Sequence, residues 1–208
     1  MQDYKIEPLF STPLYSSSLQ RELTKEEKYF VSEVRHKTLI SQGGNYLSKD
    51  NNILKNKELK NLKTFFDKHI NNYFDKIIQT NNEATPYITQ SWLNYNVKNS
   101  GHHIHSHPNS FVSGVFYINS AFDKDAIEFV IDEYPIAFSD IKKFDQYNST
   151  HWSVPVYKGL LLLFPSTLRH YVKRNTHDHT RISLSFNVFV QGKIGSAMNL
   201  TELNIKEG

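Results

Sequence analysis

The residues best suited to chemistry in this 208-residue chain are histidines. Residues 102–107 contain four of them, and His105 and His107 are two positions apart, so on an extended segment their rings project to the same side. His170 stands alone in a later apolar segment. Two ligands from one strand and a third from another would form a facial metal site with open opposite positions. The spacing therefore predicts a metal site at these three residues. Imidazole suits iron, zinc, copper or nickel, so the residues alone leave the metal open.

The other two histidines of the stretch are less well placed. His103 shares the alternation of His105 but lies further from the strand centre, and His102 lies out of phase with both. Taken alone, a histidine-rich stretch is equally typical of a loop that binds metals adventitiously, and a lone histidine is more often structural than ligating. The stretch and His170 together favour a built site.

An arginine on a polar strand face is the second chemical feature. Arg181 and Ser183 alternate with apolar residues along the last long strand-like segment. An inward guanidinium is costly unless it meets an anion. Arg181 could grip a carboxylate through two hydrogen bonds, with the Ser183 hydroxyl adding a third. An internal salt bridge to Asp or Glu is the alternative, although the predicted inward face carries few acids.

Two helices and many strands must position these residues. Thr24 to Glu27 form a capping box that predicts a helix to about residue 40. Apolar residues at three-and-four spacing predict a long amphipathic helix over residues 53–78. Strand-like segments follow Pro86 at 87–97, 102–107, 111–119, 126–131, 153–157, 159–164, 168–174 and 180–190. This order predicts a mainly β fold with helices, a jelly roll or related barrel braced by the N-terminal helices.

Alternation also assigns the faces of two strands. The apolar residues of 180–190 are expected to pack on the helices, and the polar ones to line the barrel interior. The strand around Trp92 repeats the pattern, with Asn94 and Asn96 on the face of Trp92. We predict one domain over residues 1–208: helical support over 1–85, a β-barrel core over 86–192 and a C-terminal tail over 193–208.

Composition narrows the classes of partner. The net charge is only +3 and no basic stripe stands out, which argues against a nucleic-acid partner. The chain has no cysteine, and its start lacks the apolar core of a signal peptide. No apolar run is long enough for a membrane span. We therefore expect a cytoplasmic protein without a membrane partner. Whether it forms a homo-oligomer is left open.

Several short motifs together resemble one family. They are residues 10–13 (FSTP), Trp92-x-Asn94-x-Asn96, His105-x-His107-Pro108, residues 113–117 (SGVFY), 163–170 (LFPSxxxH) and 181–187 (RISxSFN). Together they are similar to the 2-oxoglutarate/Fe(II) oxygenases found in marine bacteria and phages, a branch of the prolyl-hydroxylase-like superfamily. The similarity extends over residues 8–190. His107 departs from the wider superfamily, which usually has Asp or Glu at this position.

The resemblance implies a double-stranded β-helix with Fe(II) at His105, His107 and His170. It also implies that Arg181 and Ser183 bind the distal carboxylate of the cosubstrate 2-oxoglutarate. The implied activity is that of a dioxygenase, an oxidoreductase that uses O2, hydroxylates an unidentified small-molecule or peptidyl substrate and releases succinate and CO2.

Further cosubstrate contacts are expected at the polar residues Tyr117, Asn94 and Asn96, for which hydrogen bonding within the core is the alternative. The aromatic, irregular segment 132–152 is expected to cover the substrate opening. Two other functions stay open: a three-histidine cupin-like metalloenzyme without 2-oxoglutarate, which would not need Arg181, and a non-catalytic jelly-roll binding module stabilised by a metal.

Overall fold

A computed structural model describes residues 5–81, 83–131 and 140–206. The helical elements come early in the chain. They are α1 (Lys25–Arg35), two 3₁₀ turns (Ile53–Lys55 and Lys57–Leu59), α2 (Lys60–Tyr73) and a π-helical turn (Phe74–Ile78). The strands are β1 (Tyr15–Ser18), β2 (Thr38–Ile40), β3 (Tyr46–Ser48), β4 (Ala84–Asn96), β5 (His102–His105), β6 (Val112–Asn119), β7 (Ala126–Val130), β8 (His151–Pro155), β9 (Leu160–Pro165), β10 (Arg169–Val172), β11 (Arg181–Ile194) and β12 (Leu203–Ile205).

The predicted capping box opens α1. The Thr24 hydroxyl accepts from the Glu27 amide, and the Glu27 carboxylate accepts from the Thr24 amide. Glu27 is fully buried, and both of its oxygens also accept from Arg21 at 2.7 Å. The helix ends at Arg35, several residues before the predicted end near residue 40, because residues 38–40 instead pair with β3 as an antiparallel strand. The β-branched Thr38 and Ile40 suit that pairing better than a helix terminus.

The predicted helix over residues 53–78 is made of several pieces. Two 3₁₀ turns precede α2, and a π-helical turn follows it and ends at Gln79 in a left-handed conformation (φ 50°). Apolar spacing therefore identified the buried face, since Leu62, Phe66 and Ile70 are buried along it. It did not show where the helix type changes.

The strands form two sheets. The larger has the order β1-β9-β6-β11-β4-β3-β2, with β12 paired to β11, and the smaller has the order β5-β10-β7-β8. All eight segments predicted as strands are strands, with bounds shifted by a few residues. Four short strands were not predicted: β1, β2, β3 and β12.

One face of the larger sheet packs on the helices. Its core includes Phe66 of α2, Phe116 of β6 and Phe186 of β11, each at most 1% exposed. A second apolar cluster lies on the other face of the larger sheet and includes Val115, Leu162 and, from the smaller sheet, Phe129. The fold is therefore the predicted jelly roll, two β-sheets face to face with helices bracing the larger one.

The segment expected to cover the substrate opening is described only in part. Residues 132–139 lie outside the described residues. Residues 140–150 contain no helix or strand, and Trp152 belongs to β8, where it pairs with Phe129 and is 50% exposed. Among the residues that the structure describes, no helix is both long and apolar enough to cross a membrane.

Candidate metal and cosubstrate site

The three predicted metal ligands come together at the smaller sheet. His105 on β5 lies opposite His170 on β10, and His107 follows β5, held by a hydrogen bond from its amide to the Ser166 carbonyl (2.9 Å). One ring nitrogen from each histidine lies within 4.8 Å of those of the other two. A single ion between the rings could therefore contact all three, the arrangement expected for a facial imidazole site.

Backbone carbonyls fix the orientation of two of these rings. The Nδ1 of His105 lies 2.8 Å from the His103 carbonyl, and the Nδ1 of His170 lies 3.0 Å from the Leu168 carbonyl. A carbonyl only accepts, so each Nδ1 carries the proton and each Nε2 keeps a free lone pair. Protein-held rings of this tautomer are typical of metal-binding histidines.

Burial keeps the imidazoles neutral. It lowers the pKa of His170 to about 3 and that of His107 to about 4, and it also lowers the pKa of His105. Neighbouring imidazoles lower the first two further, since a second positive charge nearby would be unfavourable. Neutral imidazole is the form that binds a metal ion, so the cluster is ready for one at neutral pH without first losing protons.

His102 also lies in the cavity, whereas His103 is exposed. Simple alternation placed His103 on the side of His105, and the structure reverses this expectation. The step from His105 to His102 is three positions along β5, whereas the step between their partners, His170 and Val172, is two positions along β10, so β5 contains a bulge. A bulge inserts one residue and shifts the alternation beyond it, which turns His102 inward. The Nδ1 atoms of His102 and His105 are 3.2 Å apart.

The metal cluster and Arg181 line one central cavity between the two sheets. Its wall includes all the polar residues predicted for the site. They are His105, His107 and His170 from the metal cluster, and Arg181, Ser183, Tyr117, Asn94 and Asn96 from the larger sheet. Trp92 also lines it and stacks on His107, with ring centroids 5.8 Å apart. The predicted inward faces of β4 and β11 therefore face this cavity.

Arg181 is buried deep in the cavity and only partly satisfied. It is 4% exposed, and its Nη1 donates to the Ala126 carbonyl at 3.3 Å. Its Nη2 has no hydrogen-bond partner although it is buried. Burial lowers the pKa of Arg181, but a guanidinium stays charged at physiological pH. The cavity thus contains a positive charge with an unused donor, which is the environment that an anion would complete.

The other predicted cosubstrate contacts show how this end of the cavity is built. Asn96 is the cross-strand partner of Arg181 and also has a buried, unpartnered donor, Nδ2. Asn94 instead donates to the Ser185 hydroxyl at 3.0 Å. Ser183 pairs with Tyr117 on β6, and burial raises the pKa of Tyr117, so that its hydroxyl stays protonated.

Sequence reasoning missed Asp125 and His179. Asp125 precedes β7, is 5% exposed and has one carboxylate oxygen 3.8 Å from Arg181 Nη1. Its other oxygen lies 2.8 Å from His179 Nε2 and also accepts from the Ala121 amide. The sequence argument considered acidic residues only on the inward strand faces, and Asp125 lies in a turn. Asp125 resembles an ordinary turn residue in sequence, and only the fold brings it beside the arginine.

A cluster of imidazoles and a buried guanidinium in one cavity place the chain in a class: jelly-roll proteins whose interior is suited to a metal ion and a carboxylate. Comparison with known families gives the more specific assignment. A family model described as "Putative 2OG-Fe(II) oxygenase" matches residues 90–187, a range that contains all the predicted site residues. Over these residues the chain is similar to this family of oxidoreductases.

Solved structures show the same fold. HygX from Streptomyces hygroscopicus, with nickel, 2-oxoglutarate and hygromycin B bound, is 14% identical with a TM-score of 0.57 over 85% of this chain and 82% of that one. A Pseudomonas putida prolyl-4-hydroxylase is 11% identical with a TM-score of 0.55 over 85% and 93%. The epimerase SnoN from nogalamycin biosynthesis is 11% identical with a TM-score of 0.58 over 86% and 78%. No curated protein sequence matches the chain.

Proposed function

We propose that this protein is an Fe(II)- and 2-oxoglutarate-dependent dioxygenase that hydroxylates an unidentified substrate. The proposal depends above all on one observation: three neutral, inward-facing imidazoles share a cavity with a buried arginine whose Nη2 lacks a partner. Similarity to the family supports the cofactor and the cosubstrate. HygX, with the same fold, was solved both with iron and with nickel and 2-oxoglutarate.

The donor set fits an iron ion. His105, His107 and His170 would bind the metal, and three protein ligands on one side would leave positions for a chelating 2-oxo acid and O2. Bound Fe(II), with 2-oxoglutarate and O2, supplies oxidative decarboxylation to succinate and CO2 and the oxidising power that acts on the substrate. The chain itself contributes position, charge and the exclusion of water.

The opposite end of the cavity fits the distal carboxylate of 2-oxoglutarate. Arg181 Nη2 and Asn96 Nδ2 are two unpartnered donors on adjacent strands, and Ser183 adds a hydroxyl on the same face. A carboxylate between them would satisfy both buried donors at once. Asp125, 3.8 Å from Arg181 Nη1, would help to hold the guanidinium in place while leaving Nη2 for the cosubstrate.

His107 has a consequence for the charge of the site. An imidazole in place of the carboxylate that is usual in the wider superfamily leaves the site with one more net positive charge. A dianionic cosubstrate would lower the electrostatic cost of that charge in a buried cavity. We therefore expect binding of 2-oxoglutarate and of the metal to support each other.

Anaerobic titration tests the proposal. Fe(II) followed by 2-oxoglutarate should produce the charge-transfer absorption of the chelate in the wild type, and aerobic samples should release succinate. Arg181→Met should weaken 2-oxoglutarate binding about 100-fold, because a charge-assisted hydrogen-bond pair is worth ~2–3 kcal/mol. Iron stoichiometry should stay at the wild-type value in this variant.

Arg174→Met is the matched control, since Arg174 is exposed and does not line the central cavity. It should bind 2-oxoglutarate like the wild type. Equal cosubstrate affinity in Arg181→Met and the wild type, measured by calorimetry, would refute the assigned role of Arg181.

The same titration separates the two alternatives. A three-histidine enzyme that does not use 2-oxoglutarate would bind iron but give no chelate absorption. A binding module with a structural zinc would hold zinc in a closed shell, with no exchangeable water. Only the proposed dioxygenase needs the unpartnered Arg181 donor.

A further inference from the structure

His102 is a fourth imidazole in the central cavity, beside the metal cluster. The β5 bulge turns it inward, and its Nδ1 lies 3.2 Å from that of His105. It is not part of the group of three ring nitrogens that lie within 4.8 Å of one another. Its position therefore calls for a role other than that of a fourth ligand.

The strand register places His102 on the side of the metal cluster that leads to Arg181. His105 lies opposite His170 on β10, and His102 lies opposite Val172. Moving from the first pair to the second follows β10 toward its C-terminal end. Val172 lines the central cavity together with His102.

The same direction along the smaller sheet reaches the arginine. On β7, Phe129 lies opposite His170, and three residues earlier the carbonyl of Ala126 accepts from Arg181. Along the strand direction, His102 thus lies between the level of the His105–His170 pair and that of the Ala126 contact with Arg181. Its contact with His105 puts it beside the metal cluster.

Hydrogen bonding around His102 determines what it can offer. The His103 carbonyl requires a proton on the Nδ1 of His105. The Nδ1 of His102 lies 3.2 Å from this N–H, close enough to share it as an acceptor. A neutral imidazole then has its proton on Nε2. His102 therefore has one N–H donor left for a ligand.

We propose that His102 binds the 2-oxo acid end of the cosubstrate by donating from Nε2 to one of its oxygens. This inference rests on the proposed function and adds a second contact to it: Arg181 holds the distal carboxylate, and His102 holds the end that chelates the metal. The two contacts act on different parts of one molecule, so they can be tested with cosubstrates that lack one part.

The experiment uses Fe(II)-loaded protein without O2 and two probes, 2-oxoglutarate and 2-oxobutyrate, which lacks the distal carboxylate. His102→Ala should weaken binding of both acids at least about tenfold, the loss expected for a hydrogen bond to a charged group. Arg181→Met should affect 2-oxoglutarate alone. Binding is followed by calorimetry and by the chelate absorption, and iron content is measured separately.

His103→Ala is the matched control, because His103 is on the same strand but exposed, and its carbonyl remains in the variant. It should leave both affinities unchanged. His102→Asn keeps an N–H donor and should recover part of the loss, which also guards against a folding defect in the alanine variant.

The remaining outcomes overturn the inference. Loss of iron from His102→Ala would make His102 a ligand, and unchanged affinity for both acids would remove it from the site. Weaker binding of 2-oxoglutarate with unchanged binding of 2-oxobutyrate would place the contact at the distal carboxylate, which contradicts the inference. A wild type that binds iron but neither acid would refute the proposed function itself, and the inference with it.

Discussion

One face of β11 is fully packed, whereas the other retains a buried hydrogen-bond donor without a partner. On the helix side, Leu184, Phe186 and Val188 are at most 1% exposed and pack into a continuous apolar core. On the cavity side, Arg181 keeps a buried donor without a partner. Unpartnered buried donors cost free energy, so a face that retains them serves something other than stability. One strand thus stabilises the fold with one face and forms the site with the other.

The two sides of the larger sheet also differ in how the histidines near them are held. His69, on the helix side, has both ring nitrogens engaged by hydroxyls, with Tyr15 at 2.7 Å and Ser17 at 3.2 Å. His170, on the cavity side, has one nitrogen bound to a carbonyl and the other free for a ligand. A histidine with two protein partners is structural, and a histidine with one is available for chemistry.

Removing each of these histidines gives the strongest test of that difference. His170→Ala should abolish metal retention, an effect of more than about 1000-fold, because losing a ligand costs more than losing an outer partner, which alone costs about 10–100-fold. His69→Ala should retain the metal and only lower stability. Metal content after gel filtration decides between them. Unchanged iron stoichiometry in His170→Ala would disprove the assignment.

Substitutions on the apolar face should instead lower the free energy of unfolding and leave metal binding intact. Phe66 is fully buried, and its ring stacks on Phe186 at 5.1 Å, so Phe66→Ala should lower the free energy of unfolding by about 3–5 kcal/mol. Phe122→Ala, at a residue that is 65% exposed, should lower it by less than about 1 kcal/mol. Denaturant unfolding measures both. At low denaturant the folded Phe66→Ala protein should still bind metal, and its failure to do so would link the two faces.

A smaller effect is expected from pH on the metal-free protein. Burial holds the folded-state pKa of His170 near 3 and that of His107 near 4, whereas in the unfolded chain histidine titrates near 6.5. Below pH 6.5 the unfolded chain therefore binds protons that the folded chain does not, and stability falls as pH falls. Between pH 6.5 and 5.5 each such histidine should cost about 1 kcal/mol.

Protonation of carboxylates also lowers the stability of the folded protein in acid, so the contribution of the histidines needs its own control. His170→Gln should lose less stability than the wild type over the same pH range, since one titrating group is gone. Chemical unfolding at pH 7.5, 6.5 and 5.5 in the presence of a chelator gives the comparison. A wild-type free energy of unfolding that does not change, or that rises toward pH 5.5, would contradict the expected titration.

Much of this arrangement could be predicted from local pattern. The alternation in β4 and β11 identified the cavity-facing residues, because a strand with one polar and one apolar face requires two different neighbours. The capping box at Thr24 located the start of α1. The spacing of His105, His107 and the distant His170 was enough to predict the cluster that the fold brings together.

The features that were missed depend on long-range contacts. Short strands such as β1 and β12 have weak patterns of their own and exist through pairing with β9 and β11. The β5 bulge depends on the register with β10, so alternation alone favoured His103 over His102. Asp125 meets Arg181 only because β7 and β11 face each other across the cavity.

The position of β5 at the border of the smaller sheet has a further consequence. β11 is hydrogen-bonded on both sides, by β4 and β6, whereas among the described strands β5 pairs only with β10 in its sheet. An ion bound by His105, His107 and His170 would cross-link this border strand to its neighbour and to the segment that follows it. Metal binding would then also stabilise a wall of the cavity whose strand, in the part of the chain that the structure describes, is paired on a single side within its sheet.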